Sequence, residues 1–271
     1  MWIEDHVLRV VEFRFPEKVR NALEYKNSTL ALDVYSAAER IPSNTTVGEF
    51  QAVGYLMNGP LYEGSALTTC FKDKKMYIMK GLEPLEYTRA QQFLSAFGNC
   101  YPPHIVTFEL SMSRHGKPFM IMPAMRYPVD KVPSPFFAPG STDVLLLWTH
   151  MESALTHIHS GNYAFMDIKP PNICYDDDGY YLIDLGSIVP FNSNTSSTEA
   201  YIPSDLTEHT ARAEIDWWML GVTLAEIGCG NNGLPVSAGN RRFSRQEIII
   251  QLETYLPGPV YFAFQSKVNN L

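Results

Sequence analysis

The stretch FMDIKPPNICYDDDGYYLIDLG, from Phe165 to Gly186, decides how the rest of the chain is read. Within it Asp167, Lys169 and Asn172 stand in the order D-x-K-P-x-N, and Asp184-Leu185-Gly186 follows twelve residues after Asn172. Between them, Asn172 to Tyr175 and Tyr180 to Ile183 read as two short strands. The turn that joins them is acidic and holds a glycine: Asp176, Asp177, Asp178 and Gly179. Such a hairpin brings Asn172 and Asp184 side by side, with Asp167 at its entrance. Converging oxygen ligands of this kind suit Mg2+, a hard ion held by few protein groups together with substrate phosphates. An isolated D-x-K or D-L-G would signify only an acidic hairpin on a globular domain. The two together, at hairpin separation, make a candidate site.

A length of 271 residues allows one large domain or two lobes sharing a cleft. With 45% hydrophobic and 18% charged residues the chain can bury a substantial core, which excludes a disordered chain. The net charge is −8, and the longest basic cluster is Lys72-Asp73-Lys74-Lys75, which argues against nucleic acid as the main partner. Cys70, Cys100, Cys174 and Cys229 are widely spaced and form no C-x-x-C pair. They read as reduced core thiols of a cytoplasmic or nuclear protein. The N-terminus has no basic region followed by a long apolar run, and no apolar stretch approaches a membrane span.

Residues 1–47 read as an N-terminal extension packed on the first lobe. From Gly48 to Lys80 the pattern is strand, turn, strand, turn, strand, with Gly59 and Gly64 bracketing the first turn and Met76 to Lys80 as the third strand. Leu85, Ala90, Phe93, Leu94 and Phe97 recur at helical spacing behind Pro84, a first-turn proline. Ile105 to Met112 and Pro118 to Met122 read as strands, and the Pro-rich run from Tyr127 to Gly140 as an extended connector. A long helix follows from Ser141 to His159. Its His150, His157 and His159 lack carboxylate or Cys partners at ligand spacing, so surface histidines are expected rather than a metal site. Glu214 to Glu226 forms an apolar helix. Ser244 to Tyr255 makes one more, which Pro257-Gly258-Pro259 is expected to break.

The opening stretch resembles the catalytic loop and metal-binding turn of the eukaryotic protein kinase superfamily, usually H-R-D-x-K-P-x-N and D-F-G. The resemblance covers roughly residues 48–230. It implies an α+β, two-lobed fold: a small β-rich N-lobe with the hinge over 48–125, a mainly helical C-lobe over 126–271 that is reduced after about residue 230, and an ATP cleft between them. In that register Gly59 and Gly64 match the outer glycines of the phosphate-covering loop, with Leu61 at the middle one. Lys80 positions the α/β-phosphates. Ala66 and Ile78 form a roof over the adenine and Cys174 its floor, while Met122, Ala124 and Met125 correspond to the gatekeeper and hinge. The helix glutamate that pairs with the strand lysine is either Glu86 in a shifted helix or missing in its usual form, Gln92 being the polar residue nearest the expected position. Thr198 to Asp205 resembles the end of an activation segment. Asp216-x-Trp218-x-x-Gly221 resembles the central C-lobe helix, whose aspartate braces the catalytic loop. The arginine that would pair at the Asp205 position is not identifiable.

What the resemblance implies is ATP-dependent phosphoryl transfer to Ser/Thr hydroxyls of a protein substrate. Asp167 would accept the hydroxyl proton and Lys169 offset charge on the transferred group, while Asn172 and Asp184 hold Mg2+ (or Mn2+). Lys169 and Thr198 favour Ser/Thr over Tyr. Met166, in place of the loop arginine, implies activity that needs no activation-segment phosphorylation. Two alternatives stand beside this. Leu61, Ile78, Phe165, Met166 and the unplaced helix glutamate suit a pseudokinase serving as scaffold or nucleotide-binding module, and a small-molecule kinase of the same fold is the other.

Overall fold

The computed structural model describes residues 56–60, 67–72, 75–112, 116–131, 137–139, 141–176, 179–194, 197–206, 210–228 and 243–269. The extension expected over 1–47 lies outside them, as do Leu61, Gly64, Ala66 and Cys229. The chain divides into two compact units, one ending at Glu83 and resuming over Thr107–Ala124, the other made of Pro84–Val106 and Met125–Leu271.

In the first unit, the described residues form an antiparallel five-stranded sheet of β1 (Leu56–Pro60), β2 (Leu67–Lys72), β3 (Lys75–Gly81), β4 (Glu109–Met112) and β5 (Pro118–Pro123), in the order β1-β2-β3-β5-β4. Successive side chains of a strand point to opposite faces. One face carries a core of Cys70, Phe119 and Ile121, with Tyr77 and Met79 packed against it. β1 runs through Gly59 and Pro60 instead of ending before them, with Gly59 beside Thr69 and a register shift between Met57 and Gly59. A proline is tolerated there because β1 is an edge strand and Pro60 its last residue.

The second unit is mainly helical. Its helices are α1 (Pro84–Phe97), α2 (Thr142–Ser160), α3 (Ala213–Gly228), α4 (Arg245–Tyr255) and α5 (Gly258–Val268). Short strands accompany them: β6 (Tyr127–Pro128) pairs with β8 (Ile173–Asp176), β8 with β9 (Gly179–Leu182), and β7 (Tyr163–Ala164) with β10 (Val189–Pro190). The sequence reading grouped α1 with the first lobe, whereas in the structure it packs within the second unit. Its buried Ala90, Phe93 and Phe97 lie on one face, and the Phe97 ring sits 5.5 Å from Tyr163 and 5.9 Å from His157. Ser141 caps α2 by accepting from the Val144 N–H at 3.3 Å. Among the described residues no helix is long and apolar enough to cross a membrane.

α3 is buried from Ile215 to Ala225, as its nearly unbroken apolar sequence requires. A mid-helix glycine costs about 1 kcal/mol relative to alanine, and Gly221 has a packing reason for it. A Cβ there would lie 2.4 Å from the Phe264 ring of α5. Gly221→Ala is therefore expected to destabilise the protein by about 1–3 kcal/mol through overpacking, read from chemical denaturation. The Pro257-Gly258-Pro259 run ends α4 at Tyr255, as the sequence suggests, and it also opens α5, a further helix that the sequence did not reveal. First-turn prolines lose no helical hydrogen bond, because those N–H groups have no partner inside the helix.

Candidate active site

The loop from Phe165 to Asn172 is held from beneath by α3. Asp216 is fully buried and accepts the Phe165 N–H at Oδ2 and the Met166 N–H at Oδ1, both at 2.7 Å. His159 Nε2 lies 2.9 Å from the same Oδ2. Met166 is fully buried with φ of 65°, a left-handed conformation that costs a non-glycine residue about 1–2 kcal/mol. The two short backbone bonds to Asp216 offset that cost. Thr223 adds a bond from its hydroxyl to the Ile168 carbonyl at 3.3 Å.

This bracing presents Asp167 to a ring of donors. Lys169 Nζ lies 3.1 Å from Asp167 Oδ1 and 2.9 Å from Oδ2. The Thr198 hydroxyl donates to Oδ1 at 2.7 Å and accepts from Lys169 Nζ at 2.9 Å. Asn172 Nδ2 donates to both the Asp167 carbonyl, at 2.9 Å, and Oδ2, at 2.7 Å. With the Asp167 and Lys169 side chains only 14% and 26% exposed, their attraction is less screened than in a surface pair.

The β8–β9 hairpin forms as the sequence suggests, with Ile173 opposite Leu182 and Asp176 opposite Gly179. The Ile183 N–H then donates to the Asn172 carbonyl at 2.9 Å, which sets Asp184 next along the chain from that contact. Asp184 is left-handed, with φ 61° and ψ 72°, and its Oδ1 accepts the Gly186 N–H at 3.4 Å. Leu185 is buried. The Asn172 amide turns its nitrogen to Asp167, which leaves its carbonyl oxygen as the end suited to a cation. Asn172 and Asp184 thus fit a hard ion through oxygen. Among the described residues no group of three or more His, Cys, Asp or Glu side chains gathers as a metal site. Phosphate oxygens would have to complete the shell, the usual arrangement for Mg2+.

The residues assigned to nucleotide fall in both units. In the first, Ile78 stands opposite Thr69 and Met122, and Lys80 opposite Leu67 and Met120, so Ile78, Lys80 and Met122 share one sheet face with Gly59. The Ala124 N–H donates to the Met76 carbonyl at 3.1 Å, which joins the end of β5 to β3. In the second unit Met125 is half-buried, and Cys174 is buried on β8. Burial, with Asp130 and Asp176 nearby, pushes the Cys174 thiol up to about 12. It remains a protonated, packing thiol. Cys70 is buried likewise, but Cys100 is exposed, so it is not the core thiol the sequence suggested.

The two candidates for the helix position differ in their surroundings. Gln92 is exposed, whereas the Glu86 carboxylate lies against Gly186: a Cβ on that glycine would come within 2.7 Å of Glu86 Oε1. The three histidines of α2 serve three separate contacts. His159 reaches Asp216, His157 Nε2 lies 3.0 Å from the Cys100 carbonyl, and His150 Nδ1 accepts the Tyr180 N–H at 3.1 Å. Asp205 has an arginine beside it in the structure: Arg245 Nε lies 3.0 Å from Asp205 Oδ2. Arg245 is the first residue of α4, inside the Ser244–Glu247 capping box, and the 39 residues between it and Asp205 hid the contact. Tyr201, also unassigned, is buried and donates its hydroxyl to Glu226; burial first, then that carboxylate, pushes the phenol up.

A strand-rich unit, a helical unit and a D-x-K-P-x-N loop braced by a buried aspartate define a kinase-like class of protein. A family model described as Protein kinase domain matches residues 65–268, more than half of the chain. The chain belongs to that family. Over 126 residues it is 30% identical to a probable serine/threonine-protein kinase of Dictyostelium discoideum, covering 44% of this chain and 27% of the relative. It is similar to RAC-beta serine/threonine-protein kinase B of Xenopus laevis, 31% identical over 113 residues (39% and 23% covered). Human serine/threonine-protein kinase Sgk1 is 36% identical over 83 residues (28% and 19% covered). The chain spans about a quarter or less of the length of these curated relatives. The solved structure of the Cydia pomonella granulovirus kinase PK-1 shares the fold, with a TM-score of 0.60 at 15% identity over 82% of this chain and 89% of that one.

Proposed function

We propose that this domain transfers the γ-phosphoryl group of ATP to Ser or Thr hydroxyls of protein substrates. The convergence of Lys169, Thr198 and Asn172 on the Asp167 carboxylate carries the reading. Asp167 orients the acceptor hydroxyl and takes its proton. Lys169 stands beside it to offset the charge that spreads over the transferred oxygens, and Lys80 holds the α/β-phosphates. In the family register Gly59, Gly64, Ala66, Ile78, Met122, Ala124, Met125 and Cys174 are the positions assigned to the nucleotide. Mg2+ or Mn2+, held by Asn172 and Asp184, would neutralise phosphate charge. Such chemistry asks for placement more than covalent catalysis, and a braced loop supplies placement. The serine/threonine-protein kinase names of the relatives support the same acceptor class.

Activity needs no phosphate on the segment before Asp205. A phosphate there is ordinarily read by arginine through charge-assisted hydrogen bonds. The position that would supply one is Met166, fully buried, and Thr198 is already tied to Asp167 and Lys169. The protein acts in the cytoplasm or nucleus.

The test is transfer from labelled ATP, with Mg2+ or Mn2+, to an array of Ser, Thr and Tyr peptides, beside Asp184→Asn. Incorporation into Ser/Thr peptides that the variant loses is expected, and prior phosphatase treatment of the enzyme should leave the rate unchanged. Transfer absent throughout, with a nucleotide-induced thermal shift, would replace the enzyme reading with a nucleotide-binding module. A rate abolished by phosphatase would overturn the phosphate-independence alone.

A further inference from the structure

We infer that Arg89 is a positioning residue for the metal-binding turn, holding Asp184 in the conformation that offers its carboxylate to a divalent cation. The inference rests on the phosphoryl-transfer reading above. Asp184 occupies a left-handed conformation that surrounding contacts must maintain. Gly186, two residues on, is gripped at both ends. Its N–H donates to Asp184 Oδ1 at 3.4 Å, and its carbonyl accepts from Arg89 Nη1 at 3.0 Å. The first bond folds the turn back on the carboxylate, and the second ties the turn to α1, which is itself anchored by Phe93 and Phe97.

Arg89 lies one helical turn after Glu86, so both side chains leave the same face of α1. That face meets the turn: the Glu86 carboxylate occupies the space a side chain at position 186 would need. α1 therefore brings a carboxylate to the neighbourhood of Asp184. The Arg89 guanidinium at Gly186 offsets the like charge that would otherwise weaken this arrangement in the metal-free state. The catalytic loop offers no cation of its own next to Asp167 on its N-terminal side, because Met166 stands there. Arg89 does not touch the cation or the reacting atoms. Its role is that of an outer partner fixing a ligand, and losing such partners typically costs about 10–100-fold in metal affinity or activity.

Arg89→Met keeps helix propensity and an apolar stem while removing the donor and the charge. In the full chain, Mn2+ binding is read by electron paramagnetic resonance with a non-hydrolysable ATP analogue present, beside the metal dependence of transfer and the melting temperature without ligand. Mn2+ affinity is expected to fall by about tenfold, with the rate at saturating metal reduced less, the melting temperature unchanged, and affinity largely restored in Arg89→Lys. Wild-type Mn2+ affinity in Arg89→Met would overturn the inference. So would a loss accompanied by a lower melting temperature that Arg89→Lys does not rescue, since that marks a purely structural contact. A wild-type chain that binds Mn2+ with nucleotide yet transfers nothing would sink the phosphoryl-transfer reading, while the resonance comparison would still decide the role of Arg89.

Discussion

Asp167→Asn is expected to lower the phosphoryl-transfer rate by about 10²–10⁴-fold, the usual contribution of a positioned general base. Lys169, Thr198 and Asn172 all aim donors at the Asp167 carboxylate. An amide keeps one acceptor and puts a donor where the second oxygen was, so it can neither take the acceptor proton nor satisfy the whole ring. The substitution changes one side-chain atom, and the backbone bonds to Asp216 are untouched. Folding should therefore survive. The nucleotide-induced thermal shift should persist as well, because Asp167 is outside the residues assigned to ATP. Rate and thermal shift measured on one preparation separate the two effects. A variant that transfers phosphate at the wild-type rate would remove Asp167 from the chemistry.

Asp216→Ala should be the most destabilising of the substitutions considered, by about 3–5 kcal/mol, the cost of removing one partner from a buried charged network. Two backbone N–H groups and His159 lose their acceptor at a fully buried position. No neighbouring side chain replaces it, and Met166 must still hold its left-handed conformation. Against a typical total stability of about 5–15 kcal/mol, this loss would unfold a sizeable fraction of molecules near physiological temperature. Chemical denaturation followed by the fluorescence of Trp217 and Trp218, the adjacent residues of α3, reads the effect directly. Asp216→Asn retains one oxygen and should fall between the two. Wild-type stability in Asp216→Ala would mean that the loop is held by its own turns.

Local patterns were legible wherever a short stretch sets its own geometry. The hairpin between Asn172 and Asp184 was readable because strand propensity flanked a glycine-containing acidic turn. α3 was readable because a helix apolar all round has to be buried. The Pro257-Gly258-Pro259 run was legible as the end of α4 but not as the start of α5, because proline both interrupts a helix and begins one. Cys100 misled because cysteine composition speaks for redox state and not for position. Gln92, nearest by counting, faces solvent, while Glu86 lies against Gly186, a difference that spacing along the helix did not show.

The sequence by itself determined the residue types of the candidate site and their order: an acceptor in Asp167, a cation in Lys169, and oxygen ligands in Asn172 and Asp184 at hairpin separation. Periodicity also indicated the long helices Pro84–Phe97, Thr142–Ser160 and Ala213–Gly228. Tertiary structure alone decided which distant groups hold that site in place. Arg89 reaches Gly186 across 97 residues, Asp216 reaches Phe165 across 51, and Arg245 finds Asp205 from the cap of another helix. Local propensity acts over a turn or two, whereas these contacts depend on how whole helices dock. Docking is chosen by the burial of faces such as Phe93 and Phe97 on α1 and Trp218 on α3, and the polar partners go where that burial carries them.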